Sequence, residues 1–217
     1  MLDYKQRFLE LATEAGVLRF GEFRLKSGRL SPFFFDAGLF NRGRSLARLG
    51  RFYADALMAS PLAPDLLFGP AYKGIPLVAS TAIALAEHHG RDLPYAFNRK
   101  EPKDHGEGGI IVGSGLSGRV LIIDDVITAG TSVRESVALI ESAGATPYGV
   151  LIAFDRCERG SSGRSAIEEI EERYGLPTVA IVTLHDLIAF VDGDRRYGAF
   201  LDALAAYRDR YGAAAKP

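Results

Sequence analysis

Asp124 and Asp125 follow an apolar run, Val120-Leu121-Ile122-Ile123, and precede Val126-Ile127-Thr128-Ala129-Gly130-Thr131-Ser132. The apolar run, rich in β-branched residues, reads as a buried parallel strand. Ser132 and Glu135 stand at capping-box spacing ahead of a helical pattern through Val133, Val137 and Ile140, closed by Gly144. A strand, a tight loop and a helix N-terminus make an anion site, because unpaired backbone N–H groups point outward there. Two carboxylates beside such a nest repel phosphate unless they face another part of the same ligand. Hydroxyl groups or developing positive charge suit them, and a phosphorylated sugar offers both. A plain βα unit needs one capping acid and leaves Thr128-Ala129-Gly130-Thr131 unexplained. A receiver-type acid pair is expected near the N-terminus of a shorter domain.

Gly69-Pro70-Ala71-Tyr72-Lys73-Gly74 is a second strand-to-helix junction whose glycines allow close approach to phosphate oxygens. On this segment alone an ordinary βα turn explains it equally well. The 99–109 segment, Arg99-Lys100-Glu101-Pro102-Lys103-Asp104-His105-Gly106-Glu107-Gly108-Gly109, holds no bulky apolar residue, so it is expected as a polar loop, mobile when empty. A solvated hairpin tip accounts for its polarity. A cationic lid also accounts for the crowding of Arg99, Lys100, Lys103 and His105 at its start. Phe33, Phe34 and Phe35 are consecutive in a strand, so they cannot all point inward, and one of them can stack on a planar ring or pack between cap and body. Arg156 follows a strand end, where its fork can pair with a carboxylate.

Other chemistries lack support. Gly113-Ser114-Gly115-Leu116-Ser117-Gly118 fits G-x-G-x-x-G by letter, but it precedes a strand and opens no helix, so it reads as a turn. No Walker loop, cysteine-rich metal motif or G-x-S-x-G elbow occurs. His88 and His89 are adjacent near a helix end and cannot both face one metal; a solvated role facing the helix dipole fits them better. Cys157 is the sole cysteine, which excludes an intrachain disulfide, suits a reducing compartment, and reads as a small buried hydrophobe. The net charge of -1 argues against broad nucleic-acid or membrane-surface attraction. The N-terminus lacks the pattern of a signal peptide, and no apolar stretch is long enough to span a membrane. A cytoplasmic location is expected.

The elements that must position these groups follow from periodicity. Helices are expected over 3–15, 44–58, 75–89, from 132 to the Gly144 stop, and over 197–211. Strands are expected over 20–26, 33–37, 65–68, 93–98, 110–112, 120–123, 149–154 and 179–184. Alternating strands and helices imply an α/β fold with a doubly wound, mostly parallel sheet in one domain over 1–217. The first 40 or so residues break that alternation and are expected as a small cap. Loops after Phe68, Ile123 and Phe154 leave carboxyl ends of strands, where ligands sit in open α/β sheets, and should converge on one crevice.

The 13 residues from Val120 to Ser132 resemble the phosphoribosyl-pyrophosphate (PRPP) signature of type I phosphoribosyltransferases. Leu25-Lys26-Ser27-Gly28, Phe34-Phe35, Gly69–Gly74, the 99–109 segment and Asp155-Arg156 extend the resemblance to the bacterial orotate phosphoribosyltransferases within that family. It implies transfer of ribose 5-phosphate from PRPP to orotate in pyrimidine synthesis. It implies PRPP contacts by Lys26, Tyr72, Lys73, Arg99, Lys100, Lys103, His105, Asp124, Asp125, Val126, Ile127, Thr128, Ala129, Gly130, Thr131 and Ser132. Among these it makes Lys100, Lys103, His105, Asp124 and Asp125 catalytic. It gives Phe34, Phe35, Thr128 and Arg156 to orotate, with Arg156 on the carboxylate. It implies Mg²⁺ held mainly by the substrate with no protein-built metal site, and a homodimer in which the 99–109 loop serves the neighbouring site. A purine salvage enzyme would share the PRPP run but lack the cap and Arg156. A PRPP-sensing regulator would need a nucleic-acid surface that is not evident here.

Overall fold

A computed structural model describes residues 2–25, 27–103, 109–127, 130–160 and 162–213, with backbone alone at 102 and 103. Six strands form the main sheet: β3 (Leu66–Gly69), β4 (Tyr95–Lys103), β5 (Gly109–Gly113), β6 (Arg119–Asp124), β7 (Thr146–Asp155) and β8 (Thr178–Thr183). Their order is β5-β4-β3-β6-β7-β8, and every pairing is parallel except β4 with β5. Helices cover both faces, as a strand apolar on both sides requires. On one face Leu67, Leu121, Ile123, Leu151 and Ala153 pack with α1 (Asp3–Glu14), α2 (Gly43–Met58), α3 (Gly74–His89), α6 (Leu184–Gly193) and α7 (Leu201–Tyr211). On the other, Leu66, Phe68, Val120, Ile122 and Ile152 pack with α4 (Thr131–Ser142) and α5 (Ala166–Tyr174). The doubly wound expectation is met.

The N-terminal cap is an antiparallel hairpin of β1 (Leu18–Arg24) and β2 (Leu30–Phe35), separate from the main sheet. Both strands begin earlier than periodicity suggests. Pro32 lies inside β2, which a two-stranded ribbon tolerates because its outer edge needs no N–H donor. Phe33 and Phe35 face inward, within 5.5 and 5.3 Å of the Phe154 ring, and weld the cap to β7.

Three further expectations need correction. The polar 99–109 segment is not a loop from its start, because β4 continues through Lys103, which pairs with Gly109. Antiparallel partnering supplies the hydrogen bonds that side-chain polarity did not forecast. The 179–184 strand stops at Thr183, whose hydroxyl accepts from the Asp186 N–H and starts α6. The last helix begins at Leu201, after a 3-10 turn over Gly198–Phe200. His88 and His89 do lie in the last turn of α3, where His89 Nε2 sits 3.1 Å from Asp55 Oδ1. That contact gives His89 a partner on α2 rather than a purely solvated role.

Candidate active site

β3, β6 and β7 are neighbours that run the same way, so their carboxyl ends deliver three loops to one place. Asp124 ends β6, and the residue is buried at 8% exposure. Its Oδ2 accepts from Ser132 Oγ at 2.7 Å and its Oδ1 from the Asp125 N–H at 2.9 Å. Burial first, and the neighbouring Asp125 charge second, push the Asp124 carboxyl up to about 6. Asp125 turns toward the β3–α3 loop, where its Oδ2 accepts from Lys73 Nζ at 2.8 Å. Burial works to lower the Lys73 pKa, but the Asp125 bond and the charges of Asp125, Asp36 and Asp124 outweigh it, and the net shift is upward. The Asp125 carbonyl also accepts from the N–H groups of Ala153 and Phe154, which ties the loop to β7.

The two loops bracketing these acids are built on glycine. A Cβ at Gly69 would lie 2.2 Å from the Gly74 carbonyl oxygen, so the β3–α3 turn closes only without one. Gly130 precedes α4 at φ +66, a left-handed angle that glycine adopts at no steric cost. The expected capping box at α4 does not form: Gly130 is the N-cap and makes no side-chain cap. The Ser132 hydroxyl is instead donated to Asp124. The first-turn N–H groups of α4 are therefore left for a ligand.

A cavity of ≈ 240 Å³ lies between Pro70 and Ala71 of the first loop, Asn98 and Lys100 of β4, and Thr131, Ser132 and Glu135 of α4. It joins the β3–α3 loop to the first turn of α4. Tyr72 is 70% exposed beside it in sequence, and the Ala71–Tyr72 peptide is cis. Arg99 donates to the Gly109 carbonyl across the β4–β5 pair. Val126 and Ile127 are half-buried, and Val126 N–H donates to Asp125 Oδ1. Lys26, His105, Thr128 and Ala129 lie outside the described residues, as does the side chain of Lys103.

On the cap, Phe33, Phe34 and Phe35 do not all point inward, as strand alternation requires. Phe34 and Phe35 point to opposite faces of β2. Phe34 packs on Phe23 with Arg19 over its ring, while Phe35 packs on Phe8 and Phe154. Arg156 reaches under the cap, its guanidinium 4.2 Å from the Phe33 ring centroid and its Nε donating to Glu158 at 2.6 Å. Cys157 fits its inert reading, because burial and then Asp155 push its thiol up to about 12.

Three residues that hold this geometry carry no motif. Asn98 Oδ1 accepts from the Ala71 N–H at 2.8 Å and so braces the first loop. The buried Tyr53 hydroxyl donates to the Asp124 carbonyl at 2.8 Å, and Glu158 takes Arg156. Asn98 was findable as the polar residue closing an apolar strand. Tyr53 reads only as one more core position on α2.

Comparison with known proteins agrees with this layout. A Phosphoribosyl transferase domain matches residues 39–170, which takes in β3 through most of α5. An orotate phosphoribosyltransferase of Thioalkalivibrio sulfidiphilus is 63% identical over 212 residues, covering 98% of this chain and 100% of the relative. The crystal structure of orotate phosphoribosyltransferase from Francisella tularensis is 41% identical with a TM-score of 0.85, covering 95% of this chain and 99% of that one. The Mycobacterium tuberculosis orotate phosphoribosyltransferase in complex with PRPP, 24% identical with a TM-score of 0.63 over 85% of this chain and 98% of that one, shares the fold.

Proposed function

Because the chain belongs to the orotate phosphoribosyltransferase family, we propose that it moves the 5-phosphoribosyl group of PRPP to a ring nitrogen of orotate. The products are orotidine 5′-phosphate and pyrophosphate, and the reaction serves pyrimidine synthesis. The observation that carries this reading is the 2.8 Å Lys73–Asp125 ion pair, which joins the PRPP-type run to the second phosphate-type loop at adjacent strand ends.

Charge dictates the division of labour. As the bond between sugar and pyrophosphate breaks, the ribose ring becomes cationic and the leaving group gains negative charge. Asp124 and Asp125 hold the ribose hydroxyls and steady the cationic ring, and Thr128 to Ser132 grip the 5′-phosphate at the start of α4. Lys26, Tyr72, Lys73, Arg99, Lys100, Lys103 and His105 surround the pyrophosphate. Lys73 is 57% exposed at its side chain, so its pair with Asp125 is worth about 1 kcal/mol or less and exchanges readily for an incoming phosphate. Arg156 takes the orotate carboxylate, with Phe34, Phe35 and Thr128 beside the base.

Among the described residues, no three His, Cys, Asp or Glu side chains cluster as a metal cage. The hard oxygen donors of Asp124 and Asp125 suit Mg²⁺ carried in mainly on the phosphates of PRPP. When bound, the ion neutralises charge that builds on the leaving pyrophosphate. No helix of the described chain is long and apolar enough to cross a membrane, and with a lone thiol we place the enzyme in the cytoplasm.

Incubation with PRPP, Mg²⁺ and one of orotate, hypoxanthine or adenine tests the assignment. A nucleotide should form with orotate alone, with release of pyrophosphate. A purine nucleotide would overturn it, and so would DNA binding at physiological salt without any pyrophosphate released.

The enzyme acts as a homodimer whose 99–109 segment serves the neighbouring site. In support, Tyr72 and Ile83 are 70% and 59% exposed at apolar positions along the start and one face of α3, a surface suited to a second copy. Asp125→Asn and Lys103→Ala, each inactive alone, should regain about a quarter of wild-type activity when mixed and reassociated, because each mixed dimer holds one intact site. No recovery on mixing would sink the shared-site arrangement.

A further inference from the structure

Glu158 belongs to none of the phosphate or base motifs, yet it gathers donors from three parts of the chain. Its Oε1 accepts from Arg156 Nε at 2.6 Å and from the Tyr207 hydroxyl at 2.7 Å. Its Oε2 accepts from Arg29 Nη1 at 3.1 Å. The Arg156 and Glu158 side chains are only 15% and 17% exposed, so solvent screens their pairing weakly. Burial and then Glu158 itself raise the pKa of Tyr207, which keeps that hydroxyl a donor at any working pH.

The partners of Arg156 leave one direction open. Its Nε edge is taken by Glu158, and its Nη2 donates to Ser31 Oγ at 3.1 Å and to Tyr207 Oη at 3.3 Å. Its plane is held against the Phe33 ring. Among the described residues nothing accepts from Nη1. A guanidinium presents its donors in a rigid fork, so closing one edge fixes where a carboxylate can dock. Glu158 also holds Arg29, whose Nη2 donates to the Arg159 carbonyl and whose backbone closes the 25–29 turn. The same carboxylate thereby anchors the cap where the Leu25 N–H donates to the Arg29 carbonyl.

We propose that Glu158 is a positioning residue for base selection: it blocks the Nε edge of Arg156 and turns the Nη1 end toward the carboxylate of the incoming base. The proposal rests on the reading of Arg156 as the orotate-carboxylate partner. A neighbouring acid that merely competed for Arg156 would weaken orotate binding, and its removal would tighten it. A positioning acid has the opposite sign, because its removal frees the fork to rotate.

Steady-state kinetics of Glu158→Gln provide the test, since the amide keeps the shape and removes the charge. The KM for orotate should rise about tenfold, as loss of an outer partner typically does, with kcat and the KM for PRPP changed about twofold at most. Tyr207→Phe, which keeps the carboxylate but loses one of its donors, should raise the orotate KM by a smaller factor. Thermal unfolding of both variants separates positioning from a structural role. A structural role would lower the melting temperature and degrade kcat and both KM values together, which would overturn the proposal. An unchanged or lowered orotate KM in Glu158→Gln would overturn it too. Arg156→Ala keeps the two levels apart. If that variant binds orotate normally, the reading of Arg156 fails. If it loses orotate while Glu158→Gln keeps it, only the role of Glu158 fails.

Discussion

Asp124→Asn should cost a hundredfold or more in turnover, the scale of losing about 3 kcal/mol of transition-state electrostatics, while the ligand-free protein becomes more stable near neutral pH. Both halves follow from one carboxyl. Burial and Asp125 raise its folded pKa to about 6 from an ordinary value of 3.8. A carboxyl with a raised folded pKa holds its proton more tightly in the folded chain than in the unfolded one. Stability therefore falls as pH rises from about 4 to about 6, and above that window the charged group costs on the order of 3 kcal/mol. Asparagine removes the charge while its single Oδ1 still accepts from the Asp125 N–H and its Nδ2 donates to the Ser132 hydroxyl, which can also accept. Thermal unfolding at about pH 5 and about pH 7.5 should show the wild type losing stability across that interval relative to the variant. A variant that melts lower than wild type at the higher pH would show that Asp124 is a structural anchor, not a strained functional charge. PRPP should restore the wild type's deficit, because ribose hydroxyls donate to the ionised form.

Arg156→Ala should abolish the preference for orotate over uracil. A site built to bond a charged substituent rejects the analogue lacking it by roughly 10⁴-fold or more, and that margin resides here in one guanidinium. The orotate kcat/KM should fall by roughly that same 10⁴-fold, with the rate on uracil unchanged or raised. The substitution also leaves Glu158 with Tyr207 and Arg29 alone, so removing one partner of a largely buried pair should cost about 3 kcal/mol of stability. Assays belong below the variant's melting transition. A variant that still ignores uracil and uses orotate normally would remove Arg156 from the base site.

The parallel sheet was legible because β6 and β7 are continuous apolar runs, as strands covered on both faces must be. The acids at the tip of β6 were legible for the same reason, standing where the run stops. Capping was not. Ser132 with Glu135 and Ser165 with Glu168 share one spacing, yet only the second pair forms the box. The Ser132 hydroxyl has a stronger acceptor in the buried Asp124 carboxyl, a contact no local pattern contains. The extension of β4 to Lys103 was hidden too, because Lys103 pairs with Gly109 past an irregularity after Asn98, a backbone match that side-chain polarity does not encode. The opposite facing of Phe34 and Phe35 was implicit in strand alternation; which ring met Phe154 depended on the register of the hairpin. Arg156 was visible as a cation at a strand end, but its three protein partners come from β2, the Asp155–Glu158 stretch and α7, far apart in the chain.

Helix α2 contributes no group to the chemistry, yet it governs both halves of it. Tyr53 pins the backbone of Asp124 from below, and the helix lies along α3, which begins right after Lys73. A small tilt of that one cylinder would shift acid and base by different amounts and change the gap across which they meet. Repacking beneath the sheet should thus register first as a detuned rate, well before the molecule loses its shape.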